Sequence, residues 1–231
     1  MKTVLWLAVL FFVYIGCIQA DKNEFSDQIN PLIEKDETMR NKKYKFSFGA
    51  IADCQYCTEP NQGSTHYSLS AGKLEECIQE LNTHDLKFVI HLGDFIDRNY
   101  ASFDKILPIY KSLKMPAYHT LGNHDFDVAE KWKSKVPERM GMQARYYDFV
   151  FEGWRFIVLD GNDVSFHTYP KDSLKYSEAE AYYKENKVRS PKCNGAVGEE
   201  QLAWMRKILE GAQEKAEKVV LYCHFPVLSR R

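Results

Sequence analysis

Four short clusters of side chains in this sequence are equipped for chemistry at a metal ion: Asp53-Cys-Gln55, Gly93-Asp94-Phe-Ile-Asp97, Gly122-Asn123-His124-Asp125, and His224 ahead of Phe225-Pro226. Carboxylates, amide oxygens and imidazoles together make the mixed oxygen and nitrogen donor set that manganese, iron or zinc accepts. A single aspartate can bridge two such ions through its two oxygens. A cation held this way lowers the pKa of its water towards about 7, which supplies a nucleophile without any serine or cysteine. In keeping with that chemistry, the sequence contains no Gly-x-Ser-x-Gly elbow. Taken singly, each Asp or Asn reads as a helix cap or a turn former. The four clusters in this order form a composite that caps and turns rarely reproduce.

The elements around the clusters explain how distant residues could converge. Phe46 to Ala52, Phe88 to Leu92 and Pro116 to Leu121 read as buried strands. Leu69, Leu74, Cys77, Ile78 and Leu81 fall on one helical face, as do Phe103, Ile106, Leu107, Tyr110 and Leu113. Strand and helix alternate, which predicts an α/β fold with a mainly parallel sheet covered on both faces. Arg145 to Phe151 and Trp154 to Leu159 read as a hairpin turning at Glu152-Gly153 and opening a second sheet, and Gly161 to Val197 reads as a long loop. Leu202, Met205, Ile208 and Leu209 mark a last helix closed by Gly211, and Lys218 to Cys223 a last strand that runs into His224. Every cluster therefore follows a strand's carboxyl end, where open α/β sheets bind their ligands.

The composite resembles the signature of the calcineurin-like metallophosphoesterases. Two segments, Phe46-Ser-Phe-Gly-Ala-Ile-Ala-Asp53-Cys-Gln55-Tyr56 and Arg155-Phe-Ile-Val-Leu-Asp160-Gly-Asn-Asp-Val-Ser165, resemble that family's manganese-dependent ADP-ribose/CDP-alcohol diphosphatase branch, which has Gln where most members have His. The resemblance runs from about Phe46 to Pro226 and implies a four-layer αββα sandwich. It implies two divalent metal ions, Mn²⁺ first with Fe or Zn as alternatives. Asp53 and Gln55 match ligands of one ion, Asp94 the bridging carboxylate, Asn123 and His224 ligands of the other, and His124 the catalytic imidazole. In that family a hydroxide between the ions attacks phosphorus while the cations neutralise phosphoryl charge. The family's last motif, Gly-His-x-His, does not occur in these residues, so the expected sandwich is C-terminally incomplete. The expected activity is phosphoester or phosphoanhydride hydrolysis on nucleoside-diphosphate compounds. Tyr56 to Ser70 carries no Arg or Lys to grip a second phosphate. General phosphomonoesterase or phosphodiesterase activity is therefore one alternative, and a non-catalytic secreted binding protein with a vestigial site is another.

Several polar residues have two readings each. Asp97 either orients a ligand from behind or caps the following helix. Asp160 ends a strand facing the same side and is a candidate pocket residue, whereas Asp125 reads as a turn residue. His91 and His119 lie within apolar strands and read as satisfied core histidines. Core packing is likewise the expected role of Tyr56, Tyr67 and Phe126.

The chain of 231 residues is 45% hydrophobic and 27% charged, with a formal net charge of -1, which suits one soluble domain and excludes the basic footprint of a nucleic-acid binder. The expected partner is a small phosphorylated molecule, with no nucleic-acid polymer. Met1-Lys2, the apolar run from Val4 to Ile15, and Gln19-Ala20 ahead of Asp21-Lys22-Asn23-Glu24 read as a signal peptide over residues 1–20. Residues 21–44 read as a linker or N-terminal arm, and 45–231 as the metallophosphoesterase domain. A secreted or exported protein without stable membrane insertion after cleavage follows; a signal anchor, or a lipid anchor at Cys17 in a near-lipobox, is the alternative. Cys54, Cys57, Cys77, Cys193 and Cys223 are odd in number, so at least one thiol is expected unpaired.

Overall fold

The computed structural model describes residues 46–59, 63, 66–186 and 194–226; the expected signal peptide, the arm and Cys193 lie outside them. Strands β1 (Gly49–Ile51), β2 (Val89–His91) and β3 (Ala117–His119) pair in parallel in that order. The crossovers carry α1 (Ser70–Leu81) and α2 (Ser102–Tyr110). In α1 the buried residues are Ala71, Leu74 and Ile78, and in α2 they include Phe103, Ile106, Leu107 and Tyr110; both sets recur at helical spacing. These side chains join Val89, Phe95, Leu121 and Phe126 in one core on the helix side of the sheet. Each large apolar side chain buried there contributes roughly 1.5–3 kcal/mol.

The opposite face of the sheet meets a second one. Strands β4 (Tyr147–Phe151) and β5 (Trp154–Val158) form the expected hairpin, and the φ angles of 51° at Glu152 and 75° at Gly153 give its two-residue turn the hand that matches strand twist. Strand β6 (Lys218–Tyr222) adds to β5 in parallel, so this sheet is mixed. The inter-sheet layer is largely aromatic: Phe88, Ile90, Phe156, Val158 and Tyr222, with Phe46, Tyr118, Phe149 and Trp154 packed against them. Phe156 sits among them, its ring 5.0 Å from that of Phe88 at 75° and 5.0 Å from that of Phe149 at 17°. Strand period decides the division of labour: Val89 and His91 point to the helices while Phe88 and Ile90 point to the second sheet.

Two single-turn helices, α3 (Glu130–Lys133) and α4 (Val136–Arg139), follow the third cluster. The segment read as a loop from Gly161 to Val197 contains a helix, α5 (Leu174–Glu185). Its apolar residues, Leu174, Tyr176, Ala179, Ala181, Tyr182 and Tyr183, are spread around the axis, and Ala179 alone is buried, so no stripe betrays it. Its legible signal is the cap: Ser173 Oγ accepts the Tyr176 N–H. Helix α6 (Glu199–Glu214) then crosses over to β6 and packs on it. Helices, sheet, sheet and helix are the layers expected of the sandwich.

Candidate metal centre

The backbone past the strand ends is bent to present side chains. Asp53, Gln55 and Asp94 adopt left-handed φ angles of 55°, 46° and 58°. Such a conformation costs a non-glycine residue on the order of 1–3 kcal/mol and persists where the surroundings impose it, as at functional sites. Here the surroundings are visible. Asp53, Gln55 and Tyr56 donate their N–H groups to the carbonyls of Gly93, Asp94 and Phe95 at 3.1, 2.8 and 3.2 Å, so the first two loops run side by side beyond their strands. Gly93 is left-handed at 98°, and a Cβ there would stand 2.7 Å from His224 Nδ1; at Gly122 it would stand 2.1 Å from Asp94 Oδ1. The glycines of both motifs thus admit the close approach that brings the loops together.

Asp94 is the centre of the arrangement and 3% exposed. Its Oδ1 accepts the backbone N–H of His124 at 2.9 Å, and its Oδ2 accepts from Gln55 Nε2 at 3.1 Å while facing His224 Nε2 at 3.4 Å and His124 Nε2 at 3.9 Å. Donor atoms of Asp53, Asp94 and His224 all lie within 4.8 Å of one another. Burial pushes the Asp94 carboxyl up, but the His224 hydrogen bond and the nearby imidazoles outweigh it and hold the group below its ordinary value.

His224 Nδ1 donates to the Leu92 carbonyl at 2.9 Å, which fixes the ring and turns Nε2, its candidate ligand atom, towards Asp94. Burial favours the neutral ring, yet the hydrogen bond and charge of Asp94 prevail and its pKa rises to about 9. Gln55 gives its amide N–H to Asp94, leaving Oε1, the atom a cation takes, without a partner among the described residues. Asn123 stands at the start of a 3₁₀ turn, His124–Phe126, with no side-chain cap bond, so capping does not account for its amide.

His124 differs from the others. Its Nδ1 is 2.6 Å from Asp97 Oδ1, its Nε2 points towards Asp94, and its side chain is 31% exposed. The Asp97 hydrogen bond raises its pKa despite partial burial. Asp97, nearly inaccessible, shares its other oxygen with Arg98 Nε, and burial is outweighed by these two partners so that its carboxyl stays below the usual range. It does not cap α2, where Asn99 Oδ1 accepts the Ala101 N–H and the Asn99 carbonyl that of Ser102. Donor atoms of Asp97, His124 and Asp127 also lie within 4.8 Å of one another. The short Asp97 to His124 contact occupies Nδ1, which makes this group a carboxylate–imidazole dyad beside the metal group.

Other predicted residues fall elsewhere. Asp160 is buried against Arg145 Nε at 2.6 Å, accepts the Asn162 N–H at 2.9 Å, and is not among the gathered metal donors. The Arg145 guanidinium lies 5.2 Å over Phe126 and 5.3 Å over Tyr169, which ties this pair to the wall behind the His124 turn. His91 and His119 are in the core, at 0% and 7% exposure, but His91 Nε2 and His119 Nδ1 find no partner among the described residues, so they are less satisfied than core histidines should be. Cys54, Cys57, Cys77 and Cys223 are free thiols. Asp125 is fully buried, which its expected role as a turn residue did not anticipate.

Fold and site together define a metallophosphoesterase architecture. The calcineurin-like phosphoesterase family matches residues 46–231, and the chain belongs to that family. It is similar to the manganese-dependent ADP-ribose/CDP-alcohol diphosphatase of Oryza sativa subsp. japonica, 31% identical over 212 residues that cover 79% of this chain and 66% of that protein. It is also similar to the protein of that name from Homo sapiens, 30% identical over 246 residues covering 87% and 71%. The chain therefore spans slightly less than two thirds of the rice relative's length. Among solved structures, a dimetal phosphatase from Danio rerio has a TM-score of 0.69 at 23% identity over 79% of this chain and 70% of that one, a likeness of fold.

Proposed function

We propose that the chain is a divalent-metal phosphohydrolase acting on nucleoside-diphosphate compounds such as ADP-ribose or CDP-alcohols. The observation that carries this reading is the Asp94 carboxylate, whose oxygens face Gln55, His124 and His224 with Asp53 alongside. Two divalent ions fit this donor set: Asp53, Gln55 and Asp94 would hold one, and Asp94, Asn123 and His224 the other. When bound, such ions supply Lewis-acid stabilisation of phosphoryl charge and an acidified water. The names of the relatives support Mn²⁺ as the metal and a diphosphate as the substrate.

His124 is the group that handles the leaving oxygen. Asp97 accepts the Nδ1 proton and raises the ring's pKa, which favours the cationic form in which Nε2 can donate to the departing alkoxide or phosphate. Its partial exposure leaves that nitrogen reachable from solvent. Asp97 acts through His124 by orientation and charge. We further propose export, on the leader-like composition of residues 1–20. No helix among the described residues is long and apolar enough to cross a membrane.

The test is hydrolysis by the purified full chain with Mn²⁺, assayed in parallel on ADP-ribose, CDP-choline and a chromogenic phosphomonoester, with Asp94→Asn as control. Turnover of the diphosphates that vanishes in Asp94→Asn supports the proposal. Hydrolysis of the monoester alone replaces the substrate class by a general phosphomonoesterase, and turnover that survives Asp94→Asn overturns the mechanism.

A further inference from the structure

We propose that Asp125 is a positioning residue that clamps the two ligand-bearing loops after β2 and β3 to each other, so that the donor groups on either side of Asp94 assemble as one unit. The inference rests on the metal-dependent reading of the site. The loop after β2 is left-handed at Gly93 and Asp94 and has left the ladder of its strand. Its carbonyls at Gly93, Asp94 and Phe95 go to the amides of Asp53, Gln55 and Tyr56, which secures it to the first loop. Among the described residues, its amides at 93 to 96 meet no backbone carbonyl. They end instead on two buried side chains.

His91 Nδ1 accepts the Gly93 N–H at 3.2 Å. Asp125 accepts the rest: Oδ2 takes the N–H of Asp94 at 3.1 Å and Oδ1 those of Phe95 at 2.7 Å and Ile96 at 3.3 Å. Oδ2 also takes the N–H of Gly122, at 2.9 Å, from its own loop. One fully buried carboxylate thereby serves four amides from two loops, and those bonds offset part of its desolvation. The side chain that does this belongs to the loop that carries Asn123 and His124, and it holds the loop that carries Asp94. Only a carboxylate accepts at both ends; an amide of the same shape would turn an NH₂ group against two N–H donors.

The test compares metal-stripped wild type with Asp125→Asn. Mn²⁺ affinity, read by calorimetry or by loss of the free-ion EPR signal, is expected to fall about 10- to 100-fold, the usual consequence of removing a group that orients ligands. At saturating Mn²⁺ kcat should return towards wild type, because Asp125 offers no atom to the metal or to the substrate. Equal Mn²⁺ affinity in a folded Asp125→Asn protein overturns the clamp, as does a kcat that stays low at every Mn²⁺ concentration. Amide hydrogen exchange of the metal-free wild type decides the matter independently, even where the variant does not fold. The amides of Asp94, Phe95, Ile96 and Gly122 should exchange as slowly as those of β2; exchange at the rate of exposed loops overturns the proposal. A wild type that binds no Mn²⁺ sinks the functional reading instead, and the exchange measurement still decides on the clamp.

Discussion

Asp97 Oδ1 lies 2.6 Å from His124 Nδ1, and the opposite nitrogen of the ring is turned towards Asp94. This single contact sets the tautomer, the orientation and the basicity of the imidazole assigned to the leaving group. Asp97→Asn should therefore lower kcat by roughly 10²- to 10⁴-fold, the range general acid catalysis supplies, with little change in KM. Removing the carboxylate also removes the main cause of the raised His124 pKa. The alkaline limb of the kcat profile, where the acid loses its proton, should move to lower pH. A pH profile of kcat checks both.

A second prediction concerns protons and metal. His224 has a pKa of about 9 in the metal-free site and must lose its proton to act as a ligand. Mn²⁺ uptake near pH 7 should release a proton, visible by calorimetry in buffers of different ionisation enthalpy. Apparent affinity should weaken by up to about tenfold per pH unit as pH falls. The same shift bears on stability with a definite sign. The folded pKa exceeds the unfolded value of 6.5, so this group's contribution is complete below pH 6.5 and is lost as pH rises through about 9. Urea unfolding of the metal-free protein should show that decline, and His224→Gln should flatten it.

Much of this site was legible because its residues sit where strands end. The order of Asp53, Asp94, Asn123 and His224 along the chain, set against the βα rhythm, already implied convergence at one edge, and the structure brings Asp53, Asp94 and His224 within one group. What stayed hidden depended on through-space contacts with no sequence period. Asp97 could be a cap or an orienting carboxylate until its distance to His124 was known. Asp125 looked like a turn residue because its acceptors serve amides some thirty positions away. Helix α5 was missed because its stability does not come from an apolar stripe.

The glycines give a pair of contrasting outcomes. Gly122→Ala places a methyl group 2.1 Å from Asp94 Oδ1 and 2.4 Å from Asp94 N, one on a buried carboxylate and the other on backbone. It should destabilise the fold by about 1–3 kcal/mol and weaken Mn²⁺ binding. Gly72→Ala in α1 meets nothing within 4 Å and should stabilise by about 0.5 kcal/mol without touching activity. Thermal unfolding with a parallel activity assay separates the two.

Arg145 and Asp160 form a buried pair at 2.6 Å behind the His124 turn. Arg145→Met leaves the buried Asp160 carboxyl, whose pKa burial already raises, without its cation, and should cost about 3–5 kcal/mol in urea unfolding. Adding Asp160→Leu should recover part of the loss, since removing both partners leaves no orphaned charge.

The central claim is that Asp94 holds the catalytic cations, and Mn²⁺ titration of metal-stripped protein tests it most directly. Wild type should bind two ions per chain and gain hydrolytic activity in step with their binding, whereas Asp94→Asn, with its fold intact by circular dichroism, should lose both the binding and the activity. Retention of normal Mn²⁺ binding by Asp94→Asn would contradict the account.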